Sequence, residues 1–177
     1  MTLLRLQIGL AAALLVAVAA VVAAPRAASR PARAPSALDA GVLRELNHVR
    51  AAHGLRPLRL NGELGVAAAE HSREMLVDGY FEHDSRDGTV FWRRIGRWYS
   101  STGYTSWSVG ENLLWSSPNV TPSGAVARWM ASPEHRATIL GARSQEVGVS
   151  ALHVAHAPGT FRGLPVTIIT TDFGTRS

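Results

Sequence analysis

The sequence predicts an α+β domain, and three observations carry that prediction. Apolar residues recur at helical spacing from residue 42 to about residue 140. Near the C-terminus the period changes to two. Each periodic run is bounded by residues that cap or break it. Helices first and strands last describe helices packed on an antiparallel sheet. At 177 residues the chain has room for one domain of common size.

The first helix starts at Ser36, an N-cap with Asp39 three residues on. Val42, Leu46, Val49 and His53 follow at helical spacing, and Gly54 supplies the stop. After a bend from Leu55 to Leu60, Asn61 caps a second helix. Leu64, Ala67, Ala68, His71 and Met75 share one face of it, and Gly79 ends it. Val90 to Trp98 reads as a short aromatic helix opened by Thr89, and a third long helix runs from Pro122 to Ala131. Ser132-Pro133-Glu134 places an N-cap before proline at the first helical position, starting a further turn or two that Gly141 closes. Val147, Val149, Ala151 and His153 then alternate along a strand, and Ala157-Pro158-Gly159 turns the chain. Val166, Ile168 and Thr170 alternate on the return, with Ile169 on the other face.

The N-terminus has a different character. Leu6 to Ala24 is an apolar run broken only by Gln7 and Gly9, preceded by Arg5 and containing the small-residue sites Ala17-Val18-Ala19 and Val22-Ala23-Ala24. This is the layout of a secretory signal. Its length also approaches the roughly 20 apolar residues that span a bilayer. Residues 1–27 are therefore expected to be a signal peptide or an N-terminal membrane anchor. Residues 28–36 form an Ala/Arg/Pro tether with nothing to bury, and residues 37–177 are the exported domain. Membrane contact is expected only through an uncleaved first segment.

Composition excludes several chemistries. With no cysteine there is no disulfide framework, thiolate nucleophile or thiolate zinc finger. All 18 basic residues are arginine, which removes a Schiff-base or Walker-A lysine. The net charge of +5 invites a nucleic-acid reading. Four arginines precede the first acid, however, and from Pro35 onward 14 arginines face 13 acids. The basicity belongs to the N-terminal segment, so no nucleic-acid partner is expected.

Among the seven histidines, His71 continues an apolar stripe and is expected to be a packed, hydrogen-bonded residue. Two others differ. His83 follows Gly79-Tyr80-Phe81, in a polar stretch where aromatic neighbours can fix its ring. His135 lies in the first turn of a capped helix, where the dipole disfavours a proton and keeps the imidazole able to ligate metal. Glu111 is a lone carboxylate in Val109-Gly110-Glu111-Asn112-Leu113, either exposed at a turn or buried with partners. Two neutral imidazoles and a carboxylate suit a divalent ion with an open position. Spacing alone does not show that these three converge.

Gly110-Glu111-Asn112-Leu113, Trp129 to Arg136 (Trp-Met-Ala-Ser-Pro-Glu-His-Arg) and Glu146-Val147-Gly148-Val149 resemble the bacterial branch of the CAP superfamily. This is the group of cysteine-rich secretory, antigen 5 and pathogenesis-related 1 proteins, also called SCP domains. Leu46-Asn47-His48-Val49-Arg50 and Gly79-Tyr80-Phe81-Glu82-His83 agree in order and spacing, so the likeness covers about Leu38 to Phe173. It implies an α–β–α sandwich with a central antiparallel sheet. It also implies a cleft of two histidines and two glutamates able to bind zinc or another divalent cation. His83, Glu111 and His135 match three of these positions. The fourth, three residues after Trp129, is Ser132, with Glu134 as a nearby substitute.

Three readings of the site follow. The first is a secreted, monomeric binding module for a lipid, a cell-wall component or a protein, with Trp92, Trp98, Trp107 and Trp115 offering apolar surface. The second is a hydrolase acting on peptide, ester or cell-wall glycan, with His83 and His135 holding the ion and Glu111 orienting its water. Ser85 is its nearest serine, and neither Gly-x-Ser-x-Gly nor His-Glu-x-x-His is present. The third is a purely structural polar cluster in which Glu111 ties the loops together.

Overall fold

The computed structural model describes residues 35–177. The expected signal or anchor lies outside the described residues, as does nearly all of the tether. Among the described residues no helix is long and apolar enough to cross a membrane.

Helix α1 (Ala37–Ala52) opens with a complete capping box. Asp39 N donates to Ser36 Oγ, and Ser36 N donates to Asp39 Oδ2. Its buried stripe runs Val42, Leu46, Arg50, whereas Val49 is half-buried and His53 is exposed. Strand β1 (Arg59–Leu60) is a two-residue strand within the expected bend. Helix α2 (Gly62–Asp78) is capped by the Asn61 side chain and ends at Gly79 in the left-handed region. Helix α3 (Phe91–Gly96) has no side-chain cap; Val90, not Thr89, precedes it. Strand β2 (Trp107–Ser116) follows, then α4 (Pro122–Ala131), capped by Thr121, and α5 (Pro133–Ile139). Strands β3 (Glu146–Val154) and β4 (Val166–Arg176) close the domain.

The sheet order is β1-β3-β4-β2. The three long strands are antiparallel as expected, while β1 adds a short parallel pairing at the far edge, making the sheet mixed. Side chains alternate across it with period two. Val147, Val149, Ala151, Ile169 and Phe173 face α1, α4 and α5, where they pack with Val42, Leu46, Val126, Trp129 and Ile139. On the other face Ile168, Val166 and Leu113 meet Met75, Leu76 and Tyr80 of the α2 region. Leu64 and Ala67 of α2 meet Ile95 and Tyr99. Helices therefore cover both faces, giving the α–β–α sandwich.

Two residues set how closely these layers approach. At Gly148 a Cβ would collide with the Leu64 carbonyl carbon, so only glycine admits α2 onto β3. Arg50 is fully buried. Its Nε and terminal nitrogens donate to the carbonyls of Arg56, Ile139, Gly141 and Ser144, which ties α1 to the turn after α5. A buried cation of this kind is sustained only by such dense hydrogen bonding.

Candidate functional site

Strand β2 is the outer strand beside β4, and it carries Gly110-Glu111-Asn112 with both faces covered. Of the two alternatives for Glu111 the second holds: the residue is in mid-strand, not at a turn, and its side chain is fully buried with partners. Glu111 lies in register with Asp172 of β4, and Asp172 with Gly148 of β3, so this row faces α2. Asn112, Thr171 and Val149 form the next row and face the opposite layer.

Both oxygens of Glu111 are engaged. His83 Nδ1 donates to Oε1 at 2.8 Å, and Arg94 Nη2 forms an ion pair with Oε2. Arg94, delivered by α3, is itself buried, and its Nη1 donates to the His83 carbonyl at 2.7 Å. One guanidinium thus neutralises the carboxylate and fixes the backbone of the histidine beside it. The Phe91 ring sits 6.1 Å from the His83 ring, centroid to centroid. The imidazole remains about half exposed, at 49%. With Nδ1 turned to a carboxylate, the neutral ring carries its proton there, and Nε2 points away from Glu111 with its lone pair free.

Asp172 was not foreseen in the sequence. It is fully buried, and its two oxygens meet no N–H or O–H donor among the described residues. Burial first, and the Glu111 charge second, push its carboxyl well above the usual range, with Arg94 opposing. The shift favours the protonated acid. Glu111 and Asp172 are paired across the β2–β4 register, with the Arg94 cation acting on both.

His135 reaches the site from the other layer. Asn112 Nδ2 donates to the His135 carbonyl at 3.0 Å. Burial holds the His135 imidazole below its ordinary value, and the nearby His83 charge lowers it further. His83 and His135 are thus within electrostatic reach of each other.

The remaining expected site residues are placed differently. Ser132 has the extended N-cap backbone, yet its side chain makes no cap hydrogen bond; its Oγ donates to Glu134 Oε2 at 3.0 Å. Glu134 is exposed. Its own backbone N–H and the Ser132 hydroxyl hold its carboxyl below the usual value. Ser85 Oγ donates to Glu74 at 3.0 Å, so no imidazole activates it. Among the described residues no three His, Asp or Glu side chains are placed to share a metal ion. The expectation of His83, Glu111 and His135 around one ion therefore differs from the geometry, because Glu111 is closed off by Arg94 and by the proton of His83.

His71 is fully buried. Its Nε2 donates to the Glu82 carbonyl at 2.9 Å, which makes it the packed residue expected. Of the four tryptophans, Trp92 is exposed at 45%. Trp98 donates to Glu70, Trp107 donates to the Tyr99 carbonyl, and Trp115 packs edge-on to Phe161. A groove of about 380 Å³ runs between α2 and the 85–97 segment. Its lining is charged apart from Ser85 and Val77, and includes Arg94.

A family model described as the cysteine-rich secretory protein family, CAP, matches residues 43–161. An uncharacterized protein, YkwD, of Bacillus subtilis (strain 168) is 31% identical over 115 residues, which is 64% of this chain and 42% of that protein. The chain thus spans less than half the length of this curated relative. An outer surface protein from Borrelia burgdorferi superposes with a TM-score of 0.59 at 18% identity, over 77% of this chain and 90% of the other. An extracellular protein containing an SCP domain from Bacillus anthracis str. Ames gives 0.55 at 23% identity, over 76% and 40%. A cysteine-rich secretory protein from Staphylococcus aureus subsp. aureus Mu50 gives 0.51 at 19%, over 75% and 38%. These structural likenesses bear on the fold.

Proposed function

The chain belongs to the cysteine-rich secretory protein family, CAP, and from that premise we propose that it is an exported binding module whose cleft takes a divalent cation between His83 and His135. The observation that supports this most directly is the 2.8 Å hydrogen bond from His83 Nδ1 to buried Glu111. A carboxylate behind a histidine is the usual partner of a metal-ligating imidazole: it fixes tautomer and ring direction and raises basicity at the other nitrogen. Burial favours the neutral, ligating form of His135. The donor set therefore fits an ion held by two imidazoles with further positions open. Glu111 stands behind His83 in this reading, not on the metal.

When bound, the ion supplies a positive charge and open coordination positions for a ligand's oxygen or nitrogen. The protein's own part is orientation. Arg94 and Asp172 keep the Glu111 carboxylate in place, and Glu111 aims His83. Binding is preferred over hydrolysis because Glu111, the group that would orient a metal-bound water, has its two oxygens engaged by His83 and Arg94. The charged lining of the neighbouring groove suits a polar ligand better than an acyl chain. Export rests on the N-terminal signal pattern.

Zinc titration by calorimetry near neutral pH tests the proposal, comparing wild type, His83→Ala/His135→Ala and Glu111→Gln. Micromolar or tighter binding, about 8 kcal/mol, is expected in wild type and should vanish in the double variant. Glu111→Gln should weaken it roughly 10- to 100-fold. Absence of binding in folded wild type overturns the reading and leaves the cluster structural.

A further inference from the structure

The outward ring nitrogen of His83 is set from one face of β2 by Glu111. The same strand carries the means to set His135 from its other face. Side chains alternate along a strand, so Gly110 and Asn112 both face the α5 layer. Asn112 is fully buried, and its amide nitrogen donates to the carbonyl of His135 itself. Its Oδ1 has no partner among the described residues. Keeping an unsatisfied buried acceptor is unfavourable, so packing alone does not account for asparagine here.

Gly110 contributes by absence. A Cβ at this position would stand 3.1 Å from Thr138 Cγ2, tighter than ordinary van der Waals contact. Thr138 lies one turn beyond His135 on the same short helix. Glycine thus lets α5 settle against the strand, and Asn112 fixes its first turn along the strand direction.

We propose that Asn112 is a positioning residue for His135, with Gly110 setting the distance of α5. The three consecutive residues then aim two imidazoles from opposite faces of one strand toward a common opening. This rests on the reading of His83 and His135 as the paired groups of the cleft. The function assigned to Asn112 is registration of α5, and it requires the amide N–H.

Asn112→Leu tests this most cleanly. It keeps similar volume, removes the donor, and also removes the unsatisfied Oδ1, so a purely structural role predicts no change at either histidine. The full chain, labelled with 15N at histidine, is examined without metal at one fixed pH. The ring nitrogen shifts of His135 are expected to move while those of His83 stay at their wild-type positions. Zinc affinity, measured by calorimetry on the same samples, is expected to fall at least tenfold. Unmoved His135 shifts in a folded Asn112→Leu protein overturn the proposal.

Gly110→Ala is the second variant and decides the matter if Asn112→Leu does not fold. It should displace the same His135 signals and spare those of His83. Unchanged signals there also overturn the proposal. Wild type that binds no zinc, with His135 shifts still moved by Asn112→Leu, sinks the cation reading and leaves the positioning role standing.

Discussion

Replacing Asp172 with asparagine should make the protein less sensitive to rising pH. Asp172 is fully buried, and burial together with the Glu111 charge raises its carboxyl well above the ordinary value. In the unfolded chain the same group ionises near its usual value, about 3.9. Between the unfolded and folded values the native protein holds one proton that the unfolded chain has released. Stability then falls as pH rises, by about 1.4 kcal/mol per unit for one proton. The contribution is fully present below the unfolded value and is lost on passing upward toward the folded one. Asparagine matches the carboxyl in shape, yet it does not titrate. The stability of Asp172→Asn minus that of wild type should therefore grow as pH rises above about 4, by up to about 1.4 kcal/mol per unit until the folded value is passed. For a domain of this size that is roughly 3–5 °C in Tm per unit. Urea unfolding at pH 4, 5, 6 and 7, followed by tryptophan fluorescence, measures the difference directly. Parallel pH profiles for the two proteins would refute the account of Asp172 as a buried acid raised above its usual value.

Arg94→Met removes the guanidinium that Glu111 faces while keeping much of the side chain's bulk. Leaving a buried charge without its partner costs about 3–5 kcal/mol. That loss should appear at pH 7 in urea unfolding; a loss below about 1 kcal/mol would show that Arg94 does not hold the site. Gly148→Ala drives a methyl into the Leu64 carbonyl carbon. Overpacking against side chains costs about 1–3 kcal/mol, and backbone yields less, so loss of folded protein in near-UV circular dichroism is expected. A Tm near wild type would mean α2 can retreat from β3. Among cations, competition calorimetry should show Zn²⁺ bound in preference to Ca²⁺ and Mg²⁺, since imidazole donors suit zinc and carboxylate oxygens suit the others; equal affinity for Ca²⁺ would point to carboxylate ligands instead.

Helices were legible because their signals are local. Ser36 with Asp39, Asn61, Gly79 and Pro122 mark ends through hydrogen bonds or φ angles that neighbouring residues impose. The β3 and β4 strands showed through alternation, as one face packs on small or apolar partners at a time. Strand β2 was hidden. Glycine, glutamate and asparagine are all poor strand formers, and Glu111 and Asn112 are both buried, so polar-out alternation never appears. Only pairing with β4 makes this segment a strand. The same holds for the polar partners. Arg94 follows Arg93 and reads as half of a solvated charge pair, yet α3 turns it inward to Glu111. Arg50 was passed over for Val49, although Val42, Leu46 and Arg50 at four-residue spacing form the true buried stripe. An acid between Thr171 and Phe173, inside an apolar alternating run, was the available clue to Asp172. His83 and His135 were legible as candidates, but their relation to Glu111 was not, because it depends on which face of an unseen strand the carboxylate occupies.

The charges beneath the cleft explain why its imidazoles, and not its acids, dominate the chemistry proposed. Glu111 carries one negative charge at most and stands against the Arg94 cation, while burial pushes Asp172 toward its neutral form. The buried floor is therefore close to neutral, so it does not attract a cation by field alone. Ser132 stands where the resemblance implies a second glutamate, and the exposed Glu134 nearby is engaged by the Ser132 hydroxyl. No second carboxylate makes up the deficit from the α5 side through these two residues. What remains for a ligand in the proposed reading is directional: the His83 ring, aimed by its hydrogen bond to Glu111, and His135, whose backbone carbonyl Asn112 holds. Affinity built this way depends on geometry more than on net charge, which makes the two faces of β2 the parts of the fold where small displacements matter most.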